Sequence, residues 1–477
     1  MEPVPLVVDL DGTLVRTDTL HESLLGLIRT NSRDLFHVLG WTREGKAQLK
    51  EHLADCADLD TDTLPLNNDL MTWLDEQKAT GRRIVLATGA NSAVAIAIAQ
   101  RVGIFDEIFS SDGTHNLTGE KKALALQARF GDKGFDYVGD SKKDLPVWEH
   151  ARQAILVNAT DGVAKRASEV CEVTQVFPPP SRGPHIWVRM FRVHQWLKNL
   201  LLFTPFLAAH QATSLTQLLH LSIAFFAFSI SASAVYLAND LLDLESDRRH
   251  PRKARRAFAS GNVPLWVGAS LAPLLLVVGI VLGALVGTTF LQWLLVYVVI
   301  TCAYSLGLKR IAIIDCLVLA MLYTLRVIAG AAASHTPLSF WLLAFSIFLF
   351  LSLAFVKRYA ELLSHIVEGK DLAHGRGYTT SDAEIVQLLG VASGFAAVMI
   401  LALYLNNPTV HDLYKSPQLV WGAVPVMLYW VSWLWLKAHR GEMHDDPLVF
   451  AVREPASLVA GALFATILIV GAVGWPW

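Results

Sequence analysis

Val4-Pro5-Leu6-Val7-Val8-Asp9-Leu10-Asp11-Gly12-Thr13 begins as a short apolar run and ends on two acids, a glycine and a threonine. The run 4–8 reads as a buried strand, with polar groups following directly on its end. Three more runs share the pattern: 83–87 leads into Thr88-Gly89, 135–138 into Gly139-Asp140, and 154–157 closes the series. Helical patterns over 67–80, 91–102 and 119–130 separate them. Strands alternating with helices predict a Rossmann-like α/β domain, its parallel sheet covered on both faces and its ligands held at the carboxyl ends of the strands. Residues 15–65, helical in pattern and inserted after the first strand, read as a small cap.

Outward from this domain, Phe177-Pro178-Pro179-Pro180-Ser181-Arg182-Gly183-Pro184 marks a linker. The division expected is a soluble domain over 1–176, a linker over 177–188 and a membrane domain over 189–477. Nine apolar segments follow the linker, at about 196–211, 216–238, 263–286, 291–307, 312–334, 338–356, 385–405, 418–436 and 450–475. Most approach the ~20 residues that span a bilayer, which predicts an all-α polytopic bundle of about nine helices. The 53% hydrophobic composition excludes an ordinary soluble protein.

Charge divides along the same line. Residues 1–180 carry 19 Lys and Arg against 27 Asp and Glu, whereas 181–477 carry 21 against 15. With nine spans and a cytoplasmic soluble domain, the loops 239–262, 308–311, 357–383 and 437–457 hold 15 Lys and Arg, and the outer loops hold only Lys415. That asymmetry predicts a multi-pass protein of the bacterial cytoplasmic membrane with its sites on the cytoplasmic side. Trp475 and Trp477 then fall in an interfacial aromatic belt. The opening residues have no basic, cleavable leader pattern, and four scattered cysteines are too few for a disulfide framework or a zinc site. No nucleic-acid partner is expected; a homo-oligomer is allowed.

In the soluble domain, Asp9 and Asp11 can divide the work of phosphoryl transfer: one carboxylate attacks phosphorus, the other moves a proton to and from the leaving oxygen. Thr88 offers a hydroxyl and an amide to a phosphate oxygen, Lys122 (or its neighbour Lys121) a cation at a helix start, and Asp140 and Asp144 ligands for Mg²⁺. These four elements in this order resemble the haloacid dehalogenase superfamily. The resemblance implies an aspartyl phosphate on Asp9, acid/base work by Asp11, phosphate held by Thr88 and Lys122, and Mg²⁺ held by Asp9, Asp11 and Asp140 with support from Asp144.

In the membrane domain, the second segment ends in Asn239-Asp240-Leu241-Leu242-Asp243-Leu244-Glu245-Ser246-Asp247. Helical spacing sets 239 or 240, 243 and 247 on one face, where carboxylates repel unless a divalent cation joins them and bridges a diphosphate. Arg248, Arg249, Arg252, Lys253, Arg255 and Arg256 follow, suited to phosphate oxygens. The motif resembles the UbiA superfamily of intramembrane transferases. Arg192 to Asn199, Tyr304 to Lys309, Leu325 to Gly330 and Lys357 to Glu361 look like that family's polyprenyl-phosphate phosphoribosyltransferases. Ala257 departs from the Pro common in their basic loop.

By this resemblance Asn239, Asp240, Asp243 and Asp247 handle Mg²⁺ and pyrophosphate, with Asp240 and Asp243 closest to the chemistry. Lys253, Arg256, Tyr304 and Lys309 contact phosphates or ribose, and Lys198 with Asn199 the lipid phosphate. Arg326, inside the fifth segment, reads equally as a structural ion pair or a substrate contact. Asp315 stands alone in the sequence, and Asp445 and Asp446 either close the site or cap the last helix. The implied activity moves 5-phosphoribose from 5-phosphoribosyl diphosphate to a polyprenyl phosphate and then removes the 5-phosphate. A prenyltransferase for aromatic acceptors predicts a second acidic helix-end cluster, which the sequence lacks; a transporter predicts charges deep within several spans.

Overall fold

The computed structural model of the chain describes residues 3–30, 35–56, 59–112, 115–180, 183–209, 215–367, 377–407, 413–443 and 446–474. Contacts gather them into two compact units, one formed by Met1–Phe191 with Tyr236–Ala272, the other by Arg192–Val235 with Pro273–Trp477. The first unit therefore takes in the acidic motif and its basic loop as well as the soluble domain.

Six parallel strands form its sheet: β1 (Leu6–Val8), β2 (Ile84–Asn91), β3 (Glu107–Ser111), β4 (Asp136–Gly139), β5 (Gln153–Val157) and β6 (Glu172–Phe177), ordered β3-β2-β1-β4-β5-β6. Side chains alternate across it. Leu6, Val8, Leu86, Val138 and Ile155 pack on one face with Leu70, Leu74, Val94 and Ile98. Val7, Val85, Tyr137 and Leu156 pack on the other with Leu126, Val147 and Trp148. Burial on both faces is why the central strands read as continuous apolar runs. β3 and β6, absent from those runs, are edge strands; β6 exposes four of its six residues, so its sequence carries no apolar run. The cap comprises the helices Thr19–Thr30, Leu35–Glu44 and Lys46–Cys56, closed over Leu27 and Leu53.

Eight helices among the described residues are long and apolar enough to cross a membrane: Leu215–Leu242, Leu265–Val286, Thr288–Leu306, Ile314–Ser334, Phe340–Val367, Thr380–Leu405, Pro417–His439 and Pro455–Val473. They make the chain a multi-pass membrane protein, close to the nine segments expected. The difference lies in the first segment, which folds as a 3-10 helix, Val193–Phe203, and a five-residue α-helix, Thr204–Ala208. The slimmer 3-10 form rises ~2 Å per residue, so the two pieces together extend about 30 Å, the thickness of a bilayer's hydrocarbon core. Ile314–Ser334 is the most enclosed of the eight. Its Gly330 lets the backbone of Leu202 so close that a Cβ would collide with the Leu202 carbonyl. Trp475 and Trp477 lie outside the described residues.

Candidate active sites

β2, β1 and β4 are neighbours, so the polar residues at their carboxyl ends meet. Asp9 leaves β1 with 8% of its surface exposed, and Lys122 donates to its Oδ1 at 2.8 Å. Lys122 also donates to the Tyr137 hydroxyl at 2.9 Å, while Lys121 points to solvent, which separates the two lysines. Asp144 accepts from the backbone amides of Asp140 and Ser141 at 3.2 and 3.1 Å and from the Tyr137 hydroxyl at 2.9 Å, so it braces the loop. Gly12 has a φ of 76°, and any Cβ there would collide with the Asp140 carboxylate. Thr88 is fully buried and its hydroxyl accepts from the Ala90 amide at 3.0 Å.

Oxygens of Asp9, Asp140 and Asp144 lie within 4.8 Å of one another. Burial raises the Asp9 carboxyl to about 7, with Lys122 pulling it down and Asp144 pushing it up. Burial, then Asp144 and Asp9, push Asp140 well above the carboxylate range. Two buried carboxylates and the half-buried Asp140, faced among the described residues by the Lys122 ammonium, carry an excess of negative charge that a divalent cation would remove, so the residues fit one. Asp11 stands outside this trio. Its Oδ1 accepts from the Thr19 amide at 2.8 Å, and burial and then Asp18 raise it to about 6, a carboxyl able to carry a proton near neutrality.

Lys50 comes from the cap. It donates to the Gly89 carbonyl, beside Thr88, and lies 3.4 Å from Asn116 Oδ1. Burial lowers its ammonium against the pull of Asp11 and Asp18. Nothing in the cap sequence singles it out, because its neighbours are 39 and 66 residues away.

At the acidic motif the helix Leu215–Leu242 ends, Asp243 turns, and a second helix runs Leu244–Arg249. The turn keeps the α-helical register: Asp243 N donates to Asn239 O and Asp247 N to Asp243 O, both at 2.8 Å. Asp240 and Asp247 are buried, and Arg256 Nη1 joins them at 3.0 and 2.6 Å. The guanidinium thus occupies the charge position between two of the acids expected to hold a metal. Burial raises the Asp247 carboxyl, with Arg256 opposing. Asn239 and Asp243 are half-buried on the same turn, and Lys253 lies in the basic loop, a 3-10 turn Lys253–Arg255. Phe258 anchors that loop by packing where a Cβ on Gly268 would stand.

The second unit holds the remaining candidates. Lys198 donates to Asp446 Oδ2 at 2.6 Å, and Lys357 lies 3.5 Å from the same oxygen. Burial alone would raise the Asp446 carboxyl, but the two lysines outweigh it and hold it well below the usual range. Asp446 also accepts from Leu448 N, capping the short helix Pro447–Ala451 rather than the last span. Asp445 lies outside the described residues. Arg326 is buried, and among the described residues no acid pairs with it; it donates to Asn199 Oδ1, Leu322 O and Tyr297 OH at 2.9, 2.5 and 3.2 Å. The rings of Phe228, Tyr297 and Tyr323 surround it at 4.9 to 5.5 Å, so cation–π contact replaces a counter-ion. Asn199, which also donates to Ser229 Oγ at 2.9 Å, orients this arginine. Asp315, alone in the sequence, pairs with Arg358, both fully buried, and accepts from Tyr378 OH at 2.6 Å. Tyr304 and Lys309 are half-buried at the end of Thr288–Leu306 and in the turn Leu308–Arg310.

Comparison with known proteins bears on both parts. Residues 6–149 match the haloacid dehalogenase-like hydrolase family and residues 200–453 the UbiA prenyltransferase family. An uncharacterized protein, y4nM, of Sinorhizobium fredii is 36% identical over 467 residues, covering 97% of this chain and 90% of its own. Decaprenyl-phosphate phosphoribosyltransferase of Mycobacterium tuberculosis is 34% identical over 298 residues, covering 61% of this chain and 96% of its own. A UbiA homolog from Archaeoglobus fulgidus, solved with GPP and Mg²⁺, is 14% identical with a TM-score of 0.46, covering 60% of this chain and 100% of that one. The chain belongs to the UbiA prenyltransferase family, its membrane transferase domain preceded by a haloacid dehalogenase-like hydrolase domain.

Proposed function

We propose that the membrane domain transfers 5-phosphoribose from 5-phosphoribosyl diphosphate to a polyprenyl phosphate, and that the soluble domain then removes the 5-phosphate. The observation that carries this reading is the 34% identity to a decaprenyl-phosphate phosphoribosyltransferase across nearly its whole length. The retained acids of both sites support it.

In the first step an oxygen of the lipid phosphate attacks C1 of the ribose. The bond from C1 to the diphosphate oxygen breaks, and its electron pair leaves with pyrophosphate. The acceptor is already ionised, so the residues chiefly neutralise charge. Arg256 can turn from Asp240 and Asp247 to the leaving diphosphate, with Lys253, Tyr304 and Lys309 assigned to phosphate and ribose oxygens, and Lys198 with Asn199 to the lipid phosphate. In the second step Asp9 attacks the 5-phosphate, the bond from phosphorus to the ribose O5 breaks, and Asp11 protonates that oxygen. Water then opens the aspartyl phosphate with Asp11 taking the proton. Thr88 and Lys122 hold the phosphoryl oxygens. Asp9 and Asp140 with Asp144 behind them would hold one Mg²⁺, Asp11 being turned toward Thr19 and left to move the proton, and Asn239, Asp240, Asp243 and Asp247 would hold another; the ions would supply positive charge to the phosphate groups.

Fusion gives the second site a high effective concentration of the first site's product. Tyr236–Ala272 packs with the soluble domain, which supports both acidic motifs lying on the same side of the membrane; the charge of the loops supports that side being the cytoplasmic face of a bacterial inner membrane. The test is to offer purified protein either 5-phosphoribosyl diphosphate with a polyprenyl phosphate or geranylgeranyl diphosphate with an aromatic acceptor, and to weigh the lipid products of intact and Asp9→Asn chains. A ribose 5-phosphate adduct that accumulates only in the variant is the expected result. A prenylated aromatic product without a ribose adduct would reject the transferase assignment.

A further inference from the structure

The acidic motif does not stand free of the soluble domain. Arg248, the residue after Asp247, reaches the cap helix Thr19–Thr30 and donates to Glu22 through both terminal nitrogens, at 2.5 and 3.1 Å. The two side chains are only 5% and 4% exposed. A second pair joins the same helices, Arg29 to Glu245 at 2.6 and 2.8 Å, and a more exposed one joins Arg249 to Asp60 at 2.5 Å. Arg248 Nε also donates to Ala259 O at 3.2 Å, so one guanidinium ties the motif helix to the loop that carries Arg256. That loop closes at Gly261, φ 71°, where a Cβ would come within 2.6 Å of Arg16 Cβ and 3.3 Å of Pro65. Cap and motif interlock at side-chain and backbone level.

The ends of this linkage are chemical groups. Thr19, the first residue of the cap helix, donates its amide to Asp11, and Glu22 lies one turn further on. Arg248 then leads to Asp247 and, through Ala259, to the loop whose Arg256 spans Asp240 and Asp247. We infer that Glu22 is a positioning residue for the membrane transferase: by holding Arg248 it fixes Asp247 and the Arg256 loop, and it makes the cap helix a mechanical link between the two active sites. This rests on the transferase reading above. The physical basis is the cost of a buried ion: with Glu22 neutralised, the buried Arg248 guanidinium loses the carboxylate that pairs with it, and the helix that carries it is driven to reorganise.

The experiment uses the full-length chain in lipid nanodiscs, comparing Glu22→Gln, Glu22→Asp and a Glu22→Gln/Arg248→Gln double variant. Hydrogen exchange over 244–261 is expected to quicken at least tenfold in Glu22→Gln and to recover partly in Glu22→Asp and in the double variant. Pyrophosphate release from 5-phosphoribosyl diphosphate should fall at least tenfold in Glu22→Gln, mostly in kcat, while hydrolysis of p-nitrophenyl phosphate stays within about threefold and reports an intact soluble domain. Unchanged exchange over 244–261 overturns the interlock. Faster exchange with unchanged pyrophosphate release overturns the positioning role. If the wild-type chain releases no pyrophosphate, the transferase reading falls and the positioning role with it, while the exchange result still decides whether Glu22 holds the motif.

Discussion

Two acidic sites in this chain meet the same electrostatic problem in opposite ways. At the strand ends, Asp9, Asp140 and Asp144 converge with a single ammonium among them, and burial drives carboxyls upward. At the membrane-helix end, Asp240 and Asp247 are already joined by Arg256. The first arrangement has a deficit of positive charge that a cation would fill directly. The second already has one guanidinium between two carboxylates, so part of its charge is met within the chain; on the function proposed above, a metal–diphosphate would have to exchange with that arginine. Asp315 with Arg358 provides a third case, an acid and base fully buried together.

The sharpest way to break the comparison is Asp9→Asn, which should lower phosphate release by about a thousandfold or more, as loss of a nucleophile does. Pyrophosphate release should stay within about threefold, because Asp9 is not part of the linkage through Glu22 and Arg248; a parallel fall in both, read by separate phosphate and pyrophosphate assays, would mean that Asp9 itself acts on the transferase. Asp247→Asn reverses the pattern, with pyrophosphate release down about a hundredfold through lost charge stabilisation and p-nitrophenyl phosphate hydrolysis retained. Asp315→Asn leaves Arg358 with Glu361 as its remaining acid and should cost about 3 kcal/mol of stability. It would be seen as a lower melting temperature with phosphate release unchanged in the folded fraction. At the small end, Lys121→Met, altering a solvent-facing side chain, should leave phosphate release within about twofold, in contrast to Lys122→Met, which should abolish it.

Short-range features were legible in the sequence. The order of Asp9, Asp11, Thr88, Lys122, Asp140 and Asp144 follows from strand ends, and helical spacing aligned Asp240, Asp243 and Asp247 even though the helix turns at Asp243. What escaped is long-range. Glu22 and Arg248 are 226 residues apart, Lys50 and Asn116 66, and Asp315 and Arg358 43. No periodicity couples such pairs; only packing does. Arg326 shows the limit from another side, since a buried arginine in a membrane helix suggests a carboxylate partner, and three aromatic rings with neutral acceptors serve instead.

The contact between Gly330 and Leu202 constrains biogenesis. The stretch 193–208 matches the bilayer in length but leans on a helix whose key residue is 128 positions after Leu202 in the chain. Its final seat does not exist while it leaves the ribosome, and forms only after Ile314–Ser334 has inserted. The entry segment of the membrane domain is thus among the last pieces to settle.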